Sequence, residues 1–164
     1  MVRIDKLTDY GLVLLTCIAR GHNATLRTAR DLAAESGLPL PTVSRLLQTL
    51  HKGELLVSHR GIKGGYTLSK PPREISVASV ITALEGPITL TVCSSGVEGQ
   101  CDLEAHCAIK SNQRVINNAV GAVLEQLTLA DLMQPLQLTT IQDAHGKTVS
   151  TIGVASSLTS GSVQ

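Results

Sequence analysis

The chain has 164 residues, a formal net charge of +1, four cysteines and no Phe or Trp, so it suits one domain whose core is built from Leu, Val, Ile and Ala. The near-neutral total hides a split, with eleven Lys and Arg against five Asp and Glu in residues 1–73 and three against eight in residues 74–164. A basic front half suits a polyanion and the acidic remainder repels one, so a nucleic-acid surface is expected in the first half.

In chain order, Thr8 is placed to cap a first helix that runs to about Arg20, with Leu7, Gly11, Leu14, Leu15 and Ile18 recurring at the spacing of a buried face. Gly21 ends it, and Cys17 within it reads as a buried structural thiol. After an extended piece around residues 25–27, Thr28 precedes a short second helix with Asp31 in its first turn and Gly37 at its end. Pro41 opens a third helix, whose inward stripe is Val43, Leu46, Leu47 and Leu50 and whose outward side carries Thr42, Ser44, Arg45, Gln48 and Thr49. Two helices joined by a turn of this length, the second polar and basic outside, form a helix-turn-helix. Residues 55–60 and 65–69 then alternate like two strands around a glycine-containing turn, a wing with Arg60 and Lys63 at its tip in reach of DNA backbone or minor groove.

Ser76 caps a fourth helix with apolar residues at i, i+3, i+4 and i+7, stopped by Gly86 and Pro87. The next stretch places Cys93, Cys101 and Cys107 within fifteen residues, with Gly96 and Gly99 giving the loop freedom to fold back. Three thiolates on one short loop can converge on a metal, and soft sulfur donors suit an iron-sulfur cluster, zinc or copper(I). The spacing lacks the paired knuckles of structural zinc and leaves a fourth ligand to be found elsewhere. No segment is long enough to span a bilayer and the opening residues lack a signal peptide's cationic lead and cleavage site, which predicts a cytoplasmic protein without a membrane partner, where grouped cysteines more often bind metal or sense redox state than form disulfides. A long helix is expected over about residues 108–127, with Ile109, Ile116, Val120, Val123, Leu124 and Leu127 along one side as a natural dimer seam. Thr128 caps one more turn to Met133, and the Ser, Thr, Gly and Gln-rich remainder reads as a flexible tail. The expected fold is thus mainly α with a small β-hairpin: a winged helix-turn-helix over residues 1–73, a cysteine loop and dimerisation helix over 74–133 in the same compact domain, and a tail over 134–164.

The segment from Lys6 to Leu12, the helix ending near Leu50, the run from Val57 to Leu68 with its Arg-Gly-x-x-Gly-Gly-Tyr wing, residues 75–87 and the three spaced cysteines together resemble the IscR/NsrR-type iron-sulfur winged-helix regulators. The resemblance covers residues 1–135. Leu84 to Leu90 and Ser111 to Asn117 make it most similar to the branch that controls the Suf pathway of cluster assembly. It implies a homodimeric transcription repressor that binds double-stranded operator DNA. Each chain's loop would hold one cluster, 2Fe-2S favoured and 4Fe-4S the alternative, whose state alters DNA affinity. Cys93, Cys101 and Cys107 match the ligand cysteines, and Asp9 matches a fourth ligand given by the partner subunit, with His106 competing. Two departures stand out: the first cysteine interval is longer than usual, and Lys110 stands where some members carry a histidine ligand. The family's DNA contacts match Pro41, Thr42, Ser44, Arg45 and Arg60, with Ser44 replacing a glutamate that tunes sequence choice.

Two other functions remain open on the sequence. A zinc-, thiol-redox- or nitric-oxide-responsive regulator would use the same fold. An enzyme or electron carrier built on the cluster would be a different class, but the chain shows no nucleophile-base pair, phosphate-binding glycine loop or dinucleotide fingerprint, and no catalytic activity is expected.

Overall fold

The computed structural model describes residues 4–21, 26–61, 64–91, 94, 101–102, 106–142 and 148–154. Within them the chain forms helices α1 (Lys6–Arg20), α2 (Ala29–Ser36) and α3 (Leu40–Lys52), strands β1 (Leu56–His59) and β2 (Gly65–Leu68), a 3-10 turn at Pro72–Glu74, helices α4 (Val77–Glu85), α5 (Lys110–Gln126) and α6 (Leu129–Leu132), and strands β3 (Leu136–Gln142) and β4 (Thr148–Val154). An aliphatic core joins α1, α2, α3, the β1–β2 pair, α4 and α6. Leu14, Leu15 and Ile18 of α1 meet Leu32 of α2, the Val43, Leu46, Leu47 and Leu50 stripe of α3, Leu56 of the wing, Val80 of α4 and Leu129 of α6.

Local chemistry fixes most of the boundaries. Thr28 and Asp31 form a capping box at the start of α2, the Asp31 amide donating to Thr28 Oγ1 at 3.2 Å and the Thr28 amide to Asp31 Oδ2 at 3.1 Å. Gly37 closes α2 in the left-handed region at φ 69°, a conformation that favours glycine although space around it is open. Thr128 and Asp131 repeat the box at α6. A β-bridge between Ser76 and Thr128 ties α4 to the end of α5, with the Val77 amide donating to the Leu127 carbonyl at 2.7 Å and the Leu129 amide to the Ile75 carbonyl at 2.8 Å.

Three expectations are corrected. The first helix begins at Lys6 after Asp5, whose carbonyl accepts the Thr8 and Asp9 amides, so Thr8 is not its cap. Thr8 lies fully buried one turn inside, with no hydrogen-bond partner for its hydroxyl among the described residues. Leu7, expected on the buried face, is exposed. Residues 134–164, expected as a flexible tail, contain the β3–β4 antiparallel ladder, which pairs Leu136 with Val154, Leu138 with Ile152 and Gln142 with Thr148. The Thr, Ile and Val residues of the two strands favour extended backbone, and the interspersed Ser, Gly and Gln hid the pattern.

Candidate functional site

The helix-turn-helix is built as its caps dictate. Residues 37–39 form the turn, and the Leu38 amide donates to Ser36 Oγ at 3.3 Å to hold the chain as it enters α3. Pro41 sits in the first turn of α3, where its missing N–H costs nothing. With Val43, Leu46, Leu47 and Leu50 inward, Pro41, Arg45 and Gln48 are exposed, and Thr42, Ser44 and Thr49 flank them half-buried. The Thr49 hydroxyl is spent within the helix, donating to the Arg45 carbonyl at 3.1 Å. Arg45 also borders a cavity of about 80 Å³ shared with Asp5, Thr8 and Glu85, so α3, the start of α1 and the end of α4 meet at this arginine.

The wing is anchored to this unit by a residue the sequence did not single out. Arg27, ahead of α2, forms a β-bridge with Tyr66, its amide donating to the Tyr66 carbonyl at 3.1 Å and the Tyr66 amide to the Arg27 carbonyl at 2.9 Å. Its guanidinium pairs with Glu35 and donates to the Cys17 carbonyl at 3.4 Å, so one side chain joins α1 and α2 while its backbone holds β2. Gly65 permits the approach: a Cβ there would lie 2.8 Å from the Arg27 carbonyl oxygen. The Gly64-Gly65-Tyr66 run was the available signal. β1 and β2 pair from Leu56 with Leu68 to His59 with Gly65, which leaves Arg60 exposed just beyond β1. Lys63 lies outside the described residues.

The cysteine segment leaves α4 through Gly86, at φ 94°. A second residue outside the sequence-derived set, Asn117 of α5, then holds the chain: the Leu90 amide donates to its Oδ1 at 2.9 Å, and its Nδ2 donates to the Ile88 carbonyl at 3.3 Å. The Ser94 amide donates to the Thr91 carbonyl at 2.9 Å, and the two hydroxyls lie 2.8 Å apart. Cys93 itself lies outside the described residues. Cys101 and Cys107 are free, half-buried thiols on the same connection, and the Cys107 carbonyl accepts the Lys110 amide at the start of α5. Cys17 is buried in the core, where desolvation and then Glu35 push its thiol up, so it stays a protonated packing group. Asp9 is exposed in the first turn of α1 with no ion pair among the described residues, and His106 is exposed beside Cys107. Among the described residues no group of three His, Cys, Asp or Glu side chains gathers closely enough to hold a metal. Cys101 and Cys107 offer free soft sulfur, the donor type that iron-sulfur clusters take, on a connection fastened to α5.

Helix α5 is about 25 Å long and has no buried residue; Ile109, Val115, Ile116, Val120 and Val123 are exposed along it. Leu124 and Leu127 are half-buried. No helix among the described residues is long and apolar enough to cross a membrane.

Residues 4–135 match the Rrf2 family model, described as an iron-dependent transcriptional regulator. The chain belongs to the Rrf2 family. This Rrf2-family regulator is 31% identical over 136 residues to the HTH-type transcriptional regulator NsrR of Oceanobacillus iheyensis, covering 81% of this chain and 90% of that protein. It is 31% identical over 133 residues to the HTH-type transcriptional regulator IscR of Serratia proteamaculans, covering 76% and 80%. Its fold is similar to that of CymR, the global cysteine regulator of B. subtilis, with a TM-score of 0.64 and 28% identity over 81% of this chain and 97% of that one. It is therefore an IscR/NsrR-type Rrf2 transcription regulator with a winged-helix fold. The β3–β4 hairpin lies beyond the family match.

Proposed function

We propose that the protein is a cytoplasmic, homodimeric repressor that binds double-stranded operator DNA, senses the state of an iron-sulfur cluster and controls Suf-type cluster-assembly genes, with no catalytic step of its own. The observation that carries this reading is the pair of free, half-buried thiols, Cys101 and Cys107, on a connection that Asn117 fastens to α5, in a chain of an iron-dependent regulator family. Cys93, Cys101 and Cys107 are the cluster ligands, and a bound cluster, 2Fe-2S by preference, supplies sensitivity to iron supply and oxidants. Asp9, exposed on α1, is the fourth ligand across the dimer, and the exposed aliphatic stripe of α5 is the seam that brings the second chain close. A carboxylate oxygen is a harder donor than thiolate, so this is the bond most readily lost. Because α1 packs on both α2 and α3, release of Asp9 frees a helix that supports the recognition helix.

On the DNA, α3 presents Pro41, Thr42, Ser44 and Arg45 to the major groove, and Arg60 with Lys63 reaches backbone or minor groove beside it. A second reading, a thiol-redox regulator, draws support from the similarity to CymR and from the same two free thiols. The deciding experiment selects an operator from random duplexes with anaerobic protein, then measures affinity before and after iron is chelated. At least a tenfold change in Kd is expected, about 1.4 kcal/mol. An affinity untouched by iron removal but altered by thiol oxidation rejects the cluster in favour of the second reading.

A further inference from the structure

Between the base of the wing and the end of α5 lies a cavity of about 350 Å³ that neither the DNA face nor the cysteine segment uses. That volume falls within the usual range of small-molecule sites, roughly 300–1,000 Å³. Leu55, Ile75 and Ser76, all buried, line it. Five charged residues from four segments also line it: Glu54 from the α3–β1 turn, Lys70 after β2, Arg73 and Glu74 from the 3-10 turn, and Glu125 from α5. No ion pair joins any of them among the described residues, although both signs border one cavity.

Two of the acids are held in place. Glu125 accepts from Ser76 Oγ at 3.0 Å through Oε2, which leaves its other oxygen available. Glu54 occupies the left-handed region at φ 59°, a place where glycine or asparagine would be easier. The neighbouring Gly53 is needed where it stands, since a Cβ there would lie 2.6 Å from Ala83 Cβ, and the left-handed position falls to a residue that carries a carboxylate. Glu125 also lies roughly 200° around α5 from Val123, away from the exposed aliphatic stripe, so a second chain on that stripe leaves it accessible.

A wall of acids alone would suit a cation, and a wall of Lys and Arg alone an anion. Unpaired groups of both signs over an apolar floor suit one small molecule that carries both charges. We propose that this cavity binds a zwitterion of the α-amino-acid class, with its carboxylate at Lys70 and Arg73, its ammonium at Glu125 and Glu54, and its side chain over Leu55 and Ile75. The ligand bridges the wing to α5 and acts without the loop cysteines, so the site stands independently of the cluster reading.

The test titrates isotopically labelled full-length protein with each standard L-amino acid up to about 10 mM, following the amide signals of Leu55, Ser76 and Ser79. At least one amino acid is expected to give saturable shifts, and its N-acetyl and carboxamide forms, each lacking one charge, to give none. Arg73→Ala and Glu125→Gln should each raise its Kd about tenfold or more. Glu125→Gln keeps an acceptor for Ser76, and the blocked ligands test the idea without any mutation. Absence of saturable shifts from every amino acid overturns the proposal, as does equal binding of the blocked forms.

Discussion

Asn117→Ala removes the two hydrogen bonds that fasten residues 88–90 to α5, and its effect can be worked from their geometry. The bond from the Leu90 amide is of ordinary length at 2.9 Å, whereas the one to the Ile88 carbonyl is long at 3.3 Å and correspondingly weaker. A net worth of about 1 kcal/mol for the first and less for the second gives about 1–2 kcal/mol for the pair, because both sites are only part-buried and water replaces some of the loss. The segment leading into the cysteines should therefore open about 5–30 times more often. Hydrogen exchange at the Leu90 amide reads that opening directly. Asn118→Ala, one position along α5 on an exposed side chain, serves as the control. An unchanged Leu90 rate in Asn117→Ala, or an equal acceleration in both variants, would refute the idea that Asn117 anchors this connection.

Gly65→Ala forces a Cβ against the Arg27 carbonyl, a backbone group that cannot retreat without breaking the bridge to Tyr66, so urea unfolding should show a loss of about 1–3 kcal/mol; full stability would mean the wing is not rigidly joined there. Arg60→Ala should weaken operator binding by about 1–3 kcal/mol and, if the contact is to phosphate, lower the salt slope by about one, while unchanged binding would leave Arg60 a solvated charge. The Thr28 hydroxyl and then its amide hold the Asp31 carboxyl below the usual carboxylate range. The box therefore contributes stability above the ordinary carboxylate pKa and loses it as pH falls through the lowered value. Thr28→Ala should move the Asp31 midpoint upward in an NMR titration, and an unmoved midpoint would show that the box does not set it.

The parts legible in the sequence were those governed by neighbours in the chain. Thr28, Gly37, Pro41 and Ser76 mark helix boundaries because a cap or a left-handed residue needs only the next few positions, and the α3 stripe followed from helical period alone. Thr8 shows the limit of that reasoning: it has the chemistry of a cap, yet the packing of α1 places it in the core. Arg27 and Asn117 were missed for a related reason. Each acts on residues far along the chain, Tyr66 in one case and residues 88–90 in the other; the Gly64-Gly65-Tyr66 run signals a close backbone approach but does not name Arg27 as the partner. The β3–β4 pairing was equally hidden, because its register joins Leu136 to Val154 across a segment whose composition looks disordered. For the candidate site, the exposed side of α3 was readable as the complement of its buried stripe, and the cysteines were readable as a group in the sequence. The convergence with Asp9 that we propose would be a relation between two chains, which periodicity within one chain does not encode.

The visible absorption spectrum of full-length protein purified without oxygen tests the central claim most directly. Wild type should be brown from sulfur-to-iron absorption, Cys93→Ala, Cys101→Ala and Cys107→Ala should each lose the colour, and Cys17→Ala, which removes a buried core thiol, should keep it. A colourless wild type that carries stoichiometric zinc would contradict the account.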